Sequence, residues 1–488
     1  MICISITNSS NRFAVVDMYN AAPQCDLMEI RLDRLEQPDI TLLLESRQKP
    51  ILVSCRRPQD GGEWSGTEEQ RQVLLRQAMF EGVDYVELEV DIAEKIPRYG
   101  ETKRVISYTS LNKPVRDLQK QYERACALDA DIVKFTAPTN TLEEAWPMLR
   151  VLNRPEVPCV AEGIGQPGLT LSILGRKLNS PWTYAALEEG MEAHPGQATV
   201  AQLRDVYHYS SIGSKTQLIG VSGFTPQQQL AICLINGALK HLELNTRCLP
   251  MGIGEITNFD KLMKALHVTG VVLDVEYRSL ILQVVEKLEE SAQTCRQADL
   301  VLHQKKEWHG FNTVWRSAVR TLESTLKEKT GGESQPLRDR TVLIGGADAT
   351  ARAIAYGIQK RGGLLVVTSH DEDRATLLAQ MYECRFVPQT HLNNVYADCV
   401  VCIEDDIVNE DPDVPPKQLI DEYYLRRSHT VMDLRNIPED TPLLKEARLK
   451  KATIVEPLQI FIEQLSQQIR GLTGKSVSAE EMTQWLGS

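Results

Sequence analysis

Eight short apolar or β-branched runs punctuate the first 210 or so residues, at 2–6, 27–32, 51–55, 85–90, 104–108, 132–136, 158–162 and 182–187. Helix-length amphipathic segments separate most of them. This alternation of strand and helix periods confines the stretch to an α/β arrangement. One segment opens with Thr67-Glu68-Glu69-Gln70 ahead of VLLRQAMF, a capping-box signature of a helix start. Eight strands with intervening helices suit a (β/α)8 TIM barrel. A doubly wound open sheet meets the same strand count and stays open at this level.

A polar stretch, HYSSIGSKTQ, then breaks the rhythm. A second βα series runs through LIGVSGF, LPMGIG, GVVLDVE and LVLHQ to a Gly-, Ser- and Pro-containing linker, KEKTGGESQPLRD. TVLIGGADATARAIAYGIQKRGG followed by LLVVTSHDED reads as strand, glycine turn, helix and strand, the opening of a Rossmann-like nucleotide-binding unit. At 488 residues the chain exceeds one domain. The expected divisions are 1–212, 215–330, 338–455, and a helical tail at 456–488 that completes the second stretch.

Composition narrows the function classes. The net charge of −12, with no basic block, argues against nucleic acid and anionic membrane surfaces as partners. No apolar run reaches the roughly 18 residues of a membrane helix. MICISITNSS lacks the basic and apolar segments of a secretory signal. Eleven cysteines without regular spacing, several inside apolar runs (Cys3, Cys55, Cys159 and Cys233), fit a reducing cytoplasm better than a disulfide framework. Cys399 and Cys402 form a CxxC inside an expected strand, where they would point to opposite faces. Core cysteines are the expectation there, with metal or redox work as the alternative. The nine histidines show no metal-binding spacing, so no metal is expected.

In a barrel, working groups gather where strands end. LMEIRLD brings Glu29, Arg31 and Asp33, and ILVSCRRPQDGGE brings Arg56 and Asp60. Lys134 stands inside an otherwise apolar strand, ADIVKFTAP. Burying an ammonium in apolar surroundings is costly, so such a site favours the neutral amine, which can attack a ketone and form a Schiff base. The alternative is a strand-end lysine that reaches solvent or pairs with Glu29.

MEIRLD, RRPQDGG, ADIVKFT, SPWTYAAL and HPGQATVAQLR, in that order and spacing, resemble type I 3-dehydroquinate dehydratase. The resemblance implies an imine between Lys134 and the C3 ketone of 3-dehydroquinate, with no cofactor. A histidine of the family then removes a C2 proton and water leaves from C1. Glu29, Arg31, Arg56 and Gln197 would bind the substrate or position the base, and Asp60 would replace a glutamate of the family. Three positions depart from the pattern: Thr109 stands where the catalytic histidine belongs, Ser172 replaces an arginine and Ala193 a serine. Residues 1–193 contain no histidine. His194, three residues before Gln197, is the candidate substitute base, against the alternative of a surface-loop histidine. Arg176, one helical turn after Ser172, is the candidate substitute cation.

Residues 216–488 resemble shikimate dehydrogenase, through LIGVSGFTPQQQLAICLINGALKHLELNTRCLPMGIG, VTGVVLDVEYR, HGFNTV, VLIGGADATARA and NIPEDTPLLKEA with LQIFIEQ. The resemblance implies reduction of 3-dehydroshikimate by NADPH. Its catalytic lysine–aspartate pair falls on Arg278 and Val314, and its substrate-binding asparagine on Leu300. Asn312 and Gln464 remain as substrate-binding candidates. Gly345, Gly346, Ala349 and Arg352 remain as cofactor-binding candidates, although Asp348 adds a negative charge to the turn. Ser369-His370-Asp371 lacks the arginine that would pair a 2′-phosphate. The expected function is therefore a shikimate-pathway dehydratase carrying a degenerate dehydrogenase half. A non-catalytic paralogue that binds a metabolite or partner, or another lysine-dependent lyase or aldolase, is the alternative. Self-association is left open.

Overall fold

All eight apolar runs become strands of one parallel sheet: β1 (Ile2–Ile6), β2 (Leu27–Arg31), β3 (Ile51–Ser54), β4 (Tyr85–Glu89), β5 (Lys103–Thr109), β6 (Ile132–Pro138), β7 (Cys159–Ile164) and β8 (Thr183–Ala185). Their order is β7-β6-β5-β4-β3-β2-β1-β8, with the last strand returning to the first. This is a nearly closed barrel, and the open-sheet alternative is set aside. The computed structural model describes residues 1–115, 117–153, 155–407 and 418–486. Two units divide the chain: Met1–Leu239 with Glu243–His267, and Lys240–Leu242 with Val268–Ser488.

The barrel interior follows from the two-residue period of its strands. Cys3, Leu27, Leu52, Val105, Ile132, Val160 and Trp182 form an apolar floor, with Tyr85 packed against it. Two residues further along each strand the inward position is polar: Ser5, Glu29, Ser54, Ser107, Lys134, Glu162, Tyr184 and Glu87. The floor is apolar, and the layer above it carries the polar and charged side chains. Outside, the helix Glu68–Phe80 starts with the expected capping box, Thr67 and Gln70 each bonding the other's backbone N–H.

The first unit also holds the parallel pair β9 (Gln217–Ser222) and β10 (Thr246–Met251). In the second unit β11 (Val268–Val272) pairs antiparallel with β13 (Leu300–Gln304), and β13 with β14 (Glu307–Phe311). The short β12 (Lys287–Leu288) lies parallel to β14. A parallel sheet follows, made of β15 (Thr341–Gly345), β16 (Leu364–Thr368), β17 (Arg385–Phe386), β18 (Cys399–Cys402), β19 (Thr430–Asp433) and β20 (Thr453–Ile454). Its order, β17-β16-β15-β18-β19-β20, is the 3-2-1-4-5-6 winding of dinucleotide-binding sheets.

One expectation is corrected. The helix Val314–Thr330 continues through KEKT, the first four residues of the expected linker, because Lys and Glu are good helix formers and only Gly331 interrupts them. Cys233 is exposed on the helix Pro226–His241, whereas Cys3, Cys55, Cys159, Cys399 and Cys402 are buried.

Candidate active site

Lys134 is fully enclosed midway along β6. Its Nζ lies 3.3 Å from Glu87 Oε2, 3.3 Å from Glu162 Oε2 and 4.1 Å from the centre of the Tyr184 ring. The lysine neither reaches solvent nor pairs with Glu29, and its surroundings are not the apolar ones its own strand suggested. Neighbouring strands supply the carboxylates.

These contacts belong to a longer chain. Glu29 accepts from Ser5 Oγ (2.6 Å), Ser54 Oγ (2.8 Å) and Arg56 Nη2 (2.5 Å). Arg56 Nη2 also reaches Glu87 Oε2 at 3.0 Å. Past Lys134, Glu162 Oε1 meets His194 Nε2 at 2.8 Å. The run Glu29–Arg56–Glu87–Lys134–Glu162–His194 therefore alternates carboxylate and base across the barrel. Burial alone would penalise every one of these charges; the alternation offsets that cost.

The titration shifts follow from it. Burial works to raise the Glu87 carboxyl, but Arg56 and Lys134 outweigh it and hold it at about 2. Burial is likewise overcome at Glu162, which Lys134, His194 and Arg56 keep well below the usual range. At His194 burial opposes the charge, yet the Glu162 carboxylate raises the imidazole above its ordinary value. Burial, then Glu29 and Glu87, push the Tyr184 phenol well up, so it stays neutral. A group depressed on folding stabilises above its unfolded value and loses that contribution in acid. The barrel is thus expected to lose stability as pH falls from 4.5 toward 2, the interval set by Glu87. Acid unfolding followed by circular dichroism, with Glu87→Gln removing part of the slope, checks this.

His194 is not a solvated loop residue. Its side chain is 15% exposed, and both ring nitrogens face acceptors: Glu162 Oε1 and, at 3.2 Å, the Pro195 carbonyl. Gly196 fixes the turn behind it. At φ +84°, with any Cβ 2.1 Å from the Gly165 carbonyl, the loop after β8 lies directly on the loop after β7. Gln197 is buried; its Oε1 accepts from Ala193 N (2.8 Å) and its Nε2 has no partner among the described residues.

Arg31 forks onto Asp33 (3.0 and 2.7 Å) and donates to the Gly61 carbonyl (3.3 Å), which leaves a buried Nη1 unpartnered among the described residues. Asp60 accepts from Arg57 Nε at 2.6 Å and stands outside the alternating run. Thr109 ends β5 beside Thr136, and Ser172 Oγ donates to its own helix at Gly168 O. Arg176 does not substitute for the missing arginine. Its guanidinium lies over Tyr209, and its charge acts on the Met1 amino group, where the strands begin. The helix Gly168–Lys177 runs back along the barrel, so one turn further along it leads away from Lys134.

Glu87, Glu162 and Tyr184 were not anticipated. The signal was present: each lies two residues beyond a floor position, as Lys134 lies beyond Ile132. Among the described residues no group of three His, Cys, Asp or Glu side chains is arranged to hold a metal.

The second unit keeps less. Asn312 is fully buried, with both amide atoms unpartnered among the described residues. Beside it, Thr313 donates through N (2.5 Å) and Oγ1 to Asp299, which also accepts from Gln468 Nε2 (3.0 Å). Gln464 is half-buried on the helix Pro457–Thr473. Arg278 Nε turns to the Leu273 carbonyl, and Leu300 and Val314 are core residues. At the glycine turn, Gly345 ends β15 and Gly346 takes φ +138°, a conformation open to glycine. Asp348 caps the following helix by accepting from Ala351 N at 2.8 Å, two residues past Ala349. Arg352 Nε donates to the Cys295 carbonyl at 3.2 Å. Ser369 Oγ donates to Glu404, so the far side of the turn is acidic as well.

Residues 2–214 match the family model for type I 3-dehydroquinase. Over 495 residues the chain is 25% identical to the chloroplastic bifunctional 3-dehydroquinate dehydratase/shikimate dehydrogenase of Arabidopsis thaliana, spanning 97% of this chain and 82% of that one. It is 23% identical over 479 residues to the shikimate biosynthesis protein AroDE of Chlamydia pneumoniae, spanning 95% and 93%. The solved shikimate dehydrogenase of Aquifex aeolicus superimposes on 57% of the chain and all of its own length, with 23% identity and a TM-score of 0.50. No described helix is long and apolar enough to cross a membrane. Residues 2–214 thus match the dehydratase family model and a dehydrogenase-type α/β fold follows them, so that in domain order this chain is similar to the fused 3-dehydroquinate dehydratase–shikimate dehydrogenase proteins.

Proposed function

We propose that residues 1–212 form a Schiff-base lyase that dehydrates 3-dehydroquinate to 3-dehydroshikimate. The carrying observation is Lys134, fully buried between two carboxylates at the heart of the barrel. The amine of Lys134 attacks the C3 ketone, and the carbinolamine loses water to give an iminium, an electron sink for the carbanion at C2. His194 takes the C2 proton, and water leaves from C1. Hydrolysis of the iminium then frees the product. The unpartnered nitrogens of Arg31 and Gln197 offer hydrogen bonds to the substrate's carboxylate and hydroxyls. Glu29 and Arg56 fix the charged run, and Asp60, held by Arg57, acts on the substrate through the loop it shares with Gly61.

Incubation with 3-dehydroquinate, borohydride reduction and intact-mass measurement tests this reading. A Lys134-dependent adduct is expected, with enone absorbance appearing in a parallel sample. His194→Ala is expected to lose most of the turnover while still yielding an adduct. Absence of both adduct and product would make the chain a metabolite-binding paralogue or a lyase for another keto acid.

For residues 215–330 and 456–488 we propose a substrate-type domain around Asn312, and for 338–455 a dinucleotide-type domain. A relative from Aquifex aeolicus is named as an NADP(+) shikimate dehydrogenase, 25% identical over 257 residues. In this chain Gly345, Gly346 and Ala349 retain the backbone frame for a nicotinamide dinucleotide, but the side chains do not fit its phosphates. Asp348 already takes a helix N-terminal N–H, and Arg352 is tied to Cys295. No reduction step is derived for this half. NADPH is expected to bind weakly, and Asp348→Ser, which keeps the cap and removes the charge, to tighten it by on the order of tenfold. Calorimetric titration reads this directly. A cytoplasmic location, small-molecule substrates only and no metal complete the proposal.

A further inference from the structure

We propose that Glu162 couples the two reacting groups of the barrel, holding Lys134 on one carboxylate oxygen and His194, as an imidazolium, on the other. This rests on the Schiff-base reading above and adds a residue and an order of events to it. The geometry is specific. Glu162 Oε2 is 3.3 Å from Lys134 Nζ, and Glu162 Oε1 is 2.8 Å from His194 Nε2. The other imidazole nitrogen faces the Pro195 carbonyl. A neutral imidazole can donate from one nitrogen only, so two facing acceptors favour the doubly protonated ring. From the packed elements, the charged groups that face His194 are Glu162 on β7, which favours its proton, and Lys134 on β6, which opposes it. The carboxylate outweighs the ammonium.

An imidazolium at rest cannot begin as the base. The proton balance gives it an earlier task. Lys134 sheds one proton to solvent, and its amine adds to the ketone carbon. His194 then gives its proton to the carbinolamine hydroxyl, which departs as water as the carbon–nitrogen double bond forms. That step leaves His194 neutral beside the new iminium. It can now take the C2 proton, and it returns that proton to the departing C1 hydroxyl. Hydrolysis of the iminium releases the amine and one proton, which restores the imidazolium, and the amine regains from solvent the proton that Lys134 shed at the start. Each proton is accounted for, and the histidine becomes a base only after the imine exists. Glu162, held ionised throughout, keeps both partners within reach of one substrate carbon.

Glu162→Gln keeps the shape and removes the charge, so it separates this role from packing. Adduct formation needs the imidazolium, so its rate has an alkaline limb set by His194. Removing Glu162 lowers that limb toward the ordinary histidine value. Rates of borohydride-trapped adduct against pH are expected to show this downward shift, with a loss at neutral pH of roughly 100-fold. Glu162→Asp should restore part of the limb. A reduced rate with an unmoved limb overturns the coupling. If Glu162→Gln does not fold, His194→Ala decides: the coupling predicts slowed adduct formation without the alkaline limb, and a wild-type rate overturns it while leaving Lys134 as the nucleophile. Failure of the unsubstituted protein to form any Lys134-dependent adduct defeats the Schiff-base reading itself, and the coupling with it.

Discussion

Lys134→Ala is expected to eliminate the borohydride-stable adduct with 3-dehydroquinate and to lower dehydration by roughly ten-thousand-fold or more, the scale on which removing a covalent nucleophile acts. No neighbour can substitute. Arg56 is the other buried base of the run, and a guanidinium stays protonated. His194 carries no primary amine. The fold should tolerate the change better than the chemistry does, since Glu87 keeps Arg56 and Glu162 keeps His194 as a partner. Lys134→Met, which preserves most of the volume, guards against a cavity effect. An adduct of unchanged mass and yield in both variants would assign the imine to another lysine and remove the central residue of the proposal. Loss of the adduct with native circular dichroism would fix it.

The barrel was legible because its strands obey two rules at once. The apolar runs marked where strands lie, and the break in apolarity at Lys134 marked where the charged layer begins. The same break occurs at Glu87 in YVELEV and at Glu162 in CVAEGI. A carboxylate near a strand end is commonplace. Its meaning comes from register: Ser107 opposite Lys134 and Thr136 opposite Glu162 set which side chains share a level. Register depends on pairing across the barrel, which a single strand does not encode. His194 was legible as a candidate but not as a partner, because its place depends on Gly196 closing against Gly165. The error at Arg176 has a different origin. One helical turn is a distance along an axis, and the direction of that axis relative to the strands decides whether the turn approaches the site or leaves it. The family comparison carried the types of residue expected at each position.

Arg56→Met should destabilise the first unit by about 3–5 kcal/mol, the cost of leaving buried carboxylates without their cation. For a barrel of this size that corresponds to a fall in Tm on the order of 10 °C. Among the described residues Arg56 Nη2 is the one group that touches both Glu29 and Glu87. Lys134 reaches Glu87 but not Glu29, so Glu29 would keep only the two serine hydroxyls. Combining Arg56→Met with Glu29→Gln should recover part of the loss. A positive coupling in the double-mutant cycle then separates electrostatics from packing. The pH dependence has a definite sign. A buried carboxylate deprived of its cation takes up a proton more readily in the folded state, so the deficit of Arg56→Met relative to the unsubstituted protein should shrink as pH falls. A deficit constant across pH would mean that the arginine stabilises through its packing stem alone, and the alternation of charge that holds Lys134 in place would lose its physical basis.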